Sequence, residues 1–204
     1  MALENFKQLR DKRKNNILDA IERSIKTYGF DKLSIQEIAE EADISRGSFY
    51  NYFIDKNDAV YTLIQARITT FLDLFKESIM NCNGRLFDGM KQICEHVKRT
   101  LEKDVYVEIA KNFKEFVDIG IKIMQSKEFE NAINELLDWL LANTEEGKSI
   151  IKDRAKMMVV LELLINLLQS VTIRTAMEAN YTINDNYKTF EYKLNIIKNG
   201  IVNM

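Results

Sequence analysis

Residues 34–53, SIQEIAEEADISRGSFYNYF, read as two short helices with a tight bend between them. Ser34 and Glu37 make the S-x-x-E of a capping box just before an apolar-periodic run. The Ser34 hydroxyl can accept from the Glu37 amide while the Glu37 carboxylate reaches back to the Ser34 amide. The helix so started buries Ile35, Ile38, Ala39 and Ala42, spaced at three and four residues. Asp43-Ile44 is long enough only for a turn, and Ile44 can plug the angle. Ser45 then caps a second helix, with Phe49 and Phe53 inward and Arg46, Gly47, Tyr50 and Asn51 outward.

The outward set suits double-stranded DNA. A recognition helix enters the major groove N-terminus first. Arg46 sits in the first turn, where a guanidinium reaches guanine O6 and N7. Gly47 has no side chain to hold the backbone off the groove. Ser48, Tyr50 and Tyr52 offer hydroxyls to phosphate oxygens, contacts that set register rather than sequence. The helix N-terminus at Ser45 itself favours phosphate. A helical hairpin in some other bundle carries the same local pattern, so the pair of helices alone does not separate the two readings.

A wider window does. Thr27 to Leu63 resembles the DNA-binding domain of the tetracycline-repressor (TetR) family of transcription regulators. A first helix ends in a Gly-aromatic pair, Tyr28-Gly29-Phe30, and Ser34 supplies the cap. Ile38-Ala39-Glu40-Glu41-Ala42 fits I-A-x-x-A, and Ser45 to Phe53 fits S-x-G-[ST]-[FL]-Y-x-[YH]-F. Lys56 follows and leads into a long helix. One departure is Asp43, where the family has glycine; Asp tolerates left-handed backbone better than most residues. The resemblance implies DNA contacts at Gln36, Ser45, Arg46, Gly47, Ser48, Tyr50, Asn51, Tyr52 and Lys56. It covers a minor part of the chain; the rest is similar only in helical content and length.

Composition bounds the alternatives. The chain has 204 residues, enough for one or two domains with a real core. It has no proline and seven glycines, as an all-helical protein would. The net charge of −2, from 29 basic and 31 acidic residues, argues against a protein that coats nucleic acid non-specifically. It leaves room for a reader with clustered cations. Lys7, Arg10, Lys12, Arg13 and Lys14 form such a cluster, opposed only by Asp11. A solvated helix face is the plain alternative; beside a helix-turn-helix, phosphate contact is the better reading. Cys82 and Cys94, with a single histidine, make no zinc module and predict reduced thiols in the cytoplasm. The N-terminus has no apolar signal core. The run Met157–Leu168, broken by Glu162 and Asn166, reads as too short and too polar to span a bilayer.

Periodicity predicts an all-α chain. A three-helix helix-turn-helix domain occupies residues 1–54, and a helical bundle for effector binding and dimerisation occupies 55–204. The first helix runs from Lys7 to Tyr28 with Ile17, Leu18, Ile21 and Ile25 inward and Gly29 as its stop. A long helix from Asp55 or Lys56 to Met80 ends at Asn81-Cys82-Asn83-Gly84. Further helices cover Leu86–Glu102, Val105–Met124, Lys127–Leu141, Ile150–Ala179 and Asn184–Val202. His96 falls on a polar face, as a solvated histidine would. On the last helix Tyr187, Phe190, Leu194, Ile197 and Ile201 form the narrow stripe of a helix–helix seam. That stripe either packs on the chain's own core or pairs two copies. The resemblance implies the second, since such proteins pair their last two helices across a two-fold axis.

No Ser/His/Asp set, metal cluster or Gly-rich phosphate loop argues for catalysis or a cofactor. Aromatic residues at helical spacing suit an ordinary core, but the resemblance implies a pocket for a small effector, with Phe71, Phe75, Phe113, Phe116, Trp139, Met158, Glu162 and Asn166 as candidates to line it. Glu162, Asn166 and Gln169 form a polar line down an apolar helix, facing either a pocket or solvent. Two functions remain. One is a homodimeric repressor released from a palindromic operator by a small-molecule effector. The other is a helical interaction module that keeps the shape of a helix-turn-helix without reading DNA. Arg46, Lys56 and the basic stretch favour the first.

Overall fold

The computed structural model describes residues 5–6, 9, 11–100, 113–177 and 183–202, and all regular structure among them is helical. Lys7, Arg10, the start of the helix expected from Val105, and the side chains of Phe113 and Phe116 lie outside that description. The chain forms two compact units. The first takes the described residues through Ile68 together with Phe113–Met124, and the second takes the rest. The division therefore falls later than Ile54, inside a continuous helix. The reason is burial: Ala59, Val60 and Leu63, on the first turns of that helix, are core residues.

In the first unit α1, Asp11–Lys32, buries Ile17, Leu18, Ile21 and Ile25 as their spacing predicts. Gly29 interrupts it at φ 70 and ψ 160, a backbone region closed in practice to residues with a Cβ. The break turns Phe30 toward the start of α4, Lys56–Asn81. There the Lys56 ammonium donates to the Phe30 carbonyl at 3.0 Å and lies 4.5 Å from the centre of its ring. The start of α4 is fixed locally as well: the Asp58 amide donates to Asp55 Oδ1 and the Ile54 amide to Asp58 Oδ2, both at 2.8 Å. Arg67, near the end of this unit's share of α4, reaches Asp19 and Glu22 on α1, each at 2.7 Å. The fold thus holds α1 and α4 together at two levels. Between them lie α2, Ile35–Glu41, and α3, Arg46–Tyr52. α6, Phe113–Met124, completes this unit.

The second unit contains the C-terminal part of α4, α5 (Leu86–Thr100), α7 (Lys127–Asn143), α8 (Arg154–Met177) and α9 (Ile183–Val202). α4 stops at Asn83 and Gly84, both left-handed at φ 58 and 79. This corner packs on the end of α7 so closely that a Cβ on Gly84 would lie 2.9 Å from the Asn143 carbonyl oxygen. The Glu145 amide donates to the Gly84 carbonyl, and buried Glu146 accepts from the Leu86 amide, both at 2.9 Å. A carboxylate sixty residues away in sequence therefore caps α5. A π-helical turn, Gly147–Ile151, then redirects the chain into α8. The core joins Phe75, Ile79, Leu86, Phe87, Ile93, Leu137, Leu140, Met157, Leu161 and Leu164 with Phe190 and Leu194.

One expectation changes here. The stripe Tyr187, Phe190, Leu194, Ile197 and Ile201 faces this core: Phe190 and Leu194 are fully buried in the single chain, and the other three pack against it. Tyr187 stacks on Phe190 and carries Lys98 over its ring, so α5 covers this flank of α9. Phe190 and Leu194 are thus not available to a second copy, while Tyr187, Ile197 and Ile201 stay half-buried. In α8, Arg154–Arg174 is long and apolar enough to cross a membrane by length and composition, a test that the core helix of a soluble protein also passes. Its apolarity is divided between a core face, with Met157, Val160, Leu161, Leu164, Leu167, Leu168 and Val171, and an exposed face.

The Gly29 geometry yields a test. Nothing lies within 4 Å of a Cβ placed on Gly29, so Gly29→Ala meets no steric clash. It should still cost about 1–3 kcal/mol, because the strain is in the backbone. Urea unfolding of both proteins measures this; equal midpoints would mean that the break at Phe30 relaxes freely.

Candidate nucleic-acid interface

The two short helices are built by their own hydroxyls. Ser34 accepts from the Glu37 amide at 3.3 Å, and Glu37 Oε2 accepts from the Ser34 amide at 2.7 Å, completing the capping box. Ile38 and Ala39 are buried, while Ile35 and Ala42 are half-buried. Asp43 takes φ 52, the left-handed turn that glycine would otherwise supply. Ser45 Oγ accepts from the Ser48 amide at 3.0 Å and lies 2.8 Å from Ser48 Oγ, so these two serines cap α3. Phe49 and Phe53 are fully buried with ring centres 5.1 Å apart. They fix which face of α3 turns outward.

That outward face carries Arg46, Gly47, Tyr50 and Asn51, all exposed. Arg46 has no ion pair or hydrogen-bond partner among the described residues, so its guanidinium is open to a ligand. Gly47 has neither a left-handed backbone nor a crowded Cβ position; the nearest atom to an added Cβ would be Ser45 Oγ at 3.7 Å. Nothing among the described residues requires glycine there. Tyr50 keeps its ring edge-on to Phe49 and is 46% exposed, which leaves the hydroxyl outside. Tyr52 is half-buried beside Phe53.

Four of the expected contact residues, Gln36, Ser45, Ser48 and Lys56, are already engaged. Gln36, exposed on α2, donates from Nε2 to Glu40 at 2.6 Å. Ser48 shares its hydroxyl with Ser45. Lys56 is half-buried on Phe30, which uses one of its three N–H donors. Lys56 is therefore first a clamp between α1 and α4, and only its remaining donors are open to phosphate. Spacing along the sequence could not reveal this, because the partner carbonyl depends on the break at Gly29.

The candidate pocket residues of the second unit divide between its core and its surface. Phe75 is in the core of the second unit, and Phe71 and Trp139 pack on its edge. Met158, Glu162 and Asn166 are exposed on α8. The polar line through Glu162, Asn166 and Gln169 faces solvent, so its groups need no buried partner. α6, which carries Phe113 and Phe116, belongs to the first unit. Among the described residues no cluster of His, Cys, Asp and Glu could hold a metal ion. Cys94 is buried, which pushes its thiol up to about 12, so it is inert as a nucleophile at neutral pH.

Comparison with known proteins fits this geometry. Residues 17–59 match the family model of bacterial regulatory proteins, tetR family. No curated protein sequence matches the chain significantly. Solved structures match nearly all of it. The fatty acid degradation regulator FadR from Bacillus halodurans has TM-score 0.66 at 22% identity, over 92% of this chain and 96% of that one. FadR from Bacillus subtilis, in complex with stearoyl-CoA, has TM-score 0.58 at 16% identity, over 90% and 96%. Thermus thermophilus FadR, a TetR-family repressor in complex with lauroyl-CoA, has TM-score 0.56 at 17% identity, over 92% and 94%. At these identities the structures establish the fold, and over residues 17–59 the chain is similar to the bacterial regulatory proteins of the tetR family.

Proposed function

We propose that the protein is a cytoplasmic, homodimeric repressor that reads a palindromic operator with α3 and leaves it when a small-molecule effector binds. One observation carries the DNA reading: an open Arg46 stands next to a Gly47 that its own surroundings do not require, in the first turn of α3. Glycine in a helix costs up to about 1 kcal/mol relative to alanine. Close approach of an outside backbone explains its presence. In this reading Arg46 and Gln36 meet base edges. Ser45, Ser48, Tyr50, Asn51, Tyr52 and the spare donors of Lys56 meet phosphate.

The test begins with duplexes selected by the protein from a random pool. Arg46→Ala should lose about 1–3 kcal/mol per half-site on the selected duplex, relax preference at one position, and leave scrambled duplex unaffected. Gly47→Ala should raise folding stability slightly while weakening binding to both. A Gly47→Ala protein that binds like wild type would mean that nothing approaches this turn. Absence of salt-dependent duplex binding by the wild type would favour the interaction module instead.

An operator with two-fold symmetry needs two recognition helices held one DNA turn, or a multiple of it, apart. Support for a dimer comes from the outer side of the last two helices. Val159, Leu163, Asn166, Ser170 and Ile173 recur along α8 at spacings of four, three, four and three, with Val159 and Leu163 exposed. On α9, Lys193 and Ile196 line the same groove, and Ile196 is 56% exposed. Ile197 of the stripe lines this groove too, so the surface takes the role that buried Phe190 and Leu194 cannot. Leu163→Glu with Ile196→Glu should give a helical monomer by sedimentation and circular dichroism. Leu194→Glu should unfold the chain, because an unpaired charge would be buried. A helical dimer in the first variant would place the seam elsewhere.

For the effector, support comes from the acyl-CoA held by two of the similar structures and from α4, which belongs to both units. Long-chain acyl-CoA is thus the first class to test. Control requires that it favour the free protein by a few kcal/mol over the operator-bound form. Calorimetric titration of free and operator-bound protein reads that difference; equal affinities would rule out this coupling.

A further inference from the structure

We propose that Phe6 is a positioning residue for DNA binding, an aromatic anchor that docks the basic N-terminal stretch beside the recognition helix. The inference rests on the DNA reading above. Phe6 is 3% exposed although it precedes α1. Its ring centre lies 5.1 Å from Phe53 and 6.4 Å, edge-on, from Tyr52. Since Phe53 packs on Phe49, the row of rings runs from the N-terminal segment into the core beneath the reading face. Asn5 Nδ2 donates to the Asn51 carbonyl at 3.3 Å, on the last turn of α3. The Leu9 amide donates to the Phe6 carbonyl at 3.1 Å. Terminal residues are loosely held unless tied down, and here two side chains tie them to α3 itself.

Charge gives the anchor its purpose. From Ile35 to Tyr52 the chain carries one cation, Arg46, against Glu37, Glu40, Glu41 and Asp43. Such a surface gains little from a phosphate backbone, whose neutralisation dominates affinity. The densest run of cations in the sequence is Lys7, Arg10, Lys12, Arg13 and Lys14, and Lys12 and Arg13 are exposed at the start of α1. In the sequence Lys7 follows Phe6 directly. The anchor supplies cations that α2 and α3 lack.

The experiment titrates wild type, Phe6→Ala and Phe6→Leu on a selected and a scrambled duplex at several salt concentrations, with thermal unfolding of each. The expected result is that Phe6→Ala weakens both duplexes by the same factor. The slope of log K against log salt should become shallower by about 0.9 for each phosphate that is no longer neutralised. Phe6→Leu, still an apolar anchor, should bind close to wild type. Unchanged affinity and slope in Phe6→Ala overturn the proposal. Weakening confined to the selected duplex at unchanged slope also overturns it, since Phe6 would then only brace α3. If Phe6→Ala fails to fold, Lys7→Gln with Arg10→Gln on the intact anchor decides: a shallower slope supports the proposal and an unchanged slope overturns it. If wild type binds neither duplex, the DNA reading falls and takes this inference with it.

Discussion

The hydrogen bond from Lys56 to the Phe30 carbonyl closes a loop of twenty-six residues, and that loop is the helix-turn-helix. A charged hydrogen bond of this kind contributes about 1.5–3 kcal/mol, on a scale where loop closure is costly. It works only because Gly29 takes a backbone conformation that presents Phe30 to α4. Remove the break and the carbonyl points along α1. Remove the lysine and the two short helices lose a fixed exit. α2 and α3 have seven residues each, too few to be stable alone, so their orientation must be imposed from their ends and from beneath.

Beneath them the imposition is aromatic. Phe49 and Phe53 occupy the inward side of α3, and Phe6 extends the row from outside the motif. The consequence for function is a division of labour among polar groups. Ser34 and Glu37 are spent on a cap, and Ser45, Ser48, Gln36 and Lys56 are partly spent. Arg46 is the cation left open on α3. A motif of many polar residues thus reduces to a narrow reading element, which must draw its general affinity for phosphate from elsewhere in the chain.

In the second unit the organising contact is polar too. Glu146 caps α5 across sixty residues, and the close approach of Gly84 to Asn143 locks the α4–α5 corner against the end of α7. Around it α8 divides its apolar residues between a core face and an exposed face, and α9 follows. The outer face therefore arises from the same helices that build the core, with Phe190 and Leu194 of α9 already buried.

Much of this was legible in the residues themselves. The caps at Ser34 and Ser45, the left-handed Asp43, the break at Gly29 and the stop at Asn83-Gly84 are local events. Each rests on hydrogen bonds or backbone preferences spanning three or four residues, and sequence spacing encodes those directly. So does the outward placement of Arg46 and Tyr50, which follows from Phe49 and Phe53 being inward. Other features were not legible, because they are choices between equivalent local patterns. α9 carries apolar residues on both its inner stripe and its outer side, and only packing on α5 and α8 decided that Leu194 is buried and Ile196 exposed. The polar line Glu162, Asn166 and Gln169 had two destinations, and the neighbours of α8 sent it to solvent. Lys56 looked like a phosphate ligand until Phe30, twenty-six residues earlier, supplied its first partner. Phe6 had no period to mark it at all; its burial depends on rings forty-six and forty-seven positions away, and tertiary structure alone brings such partners within reach.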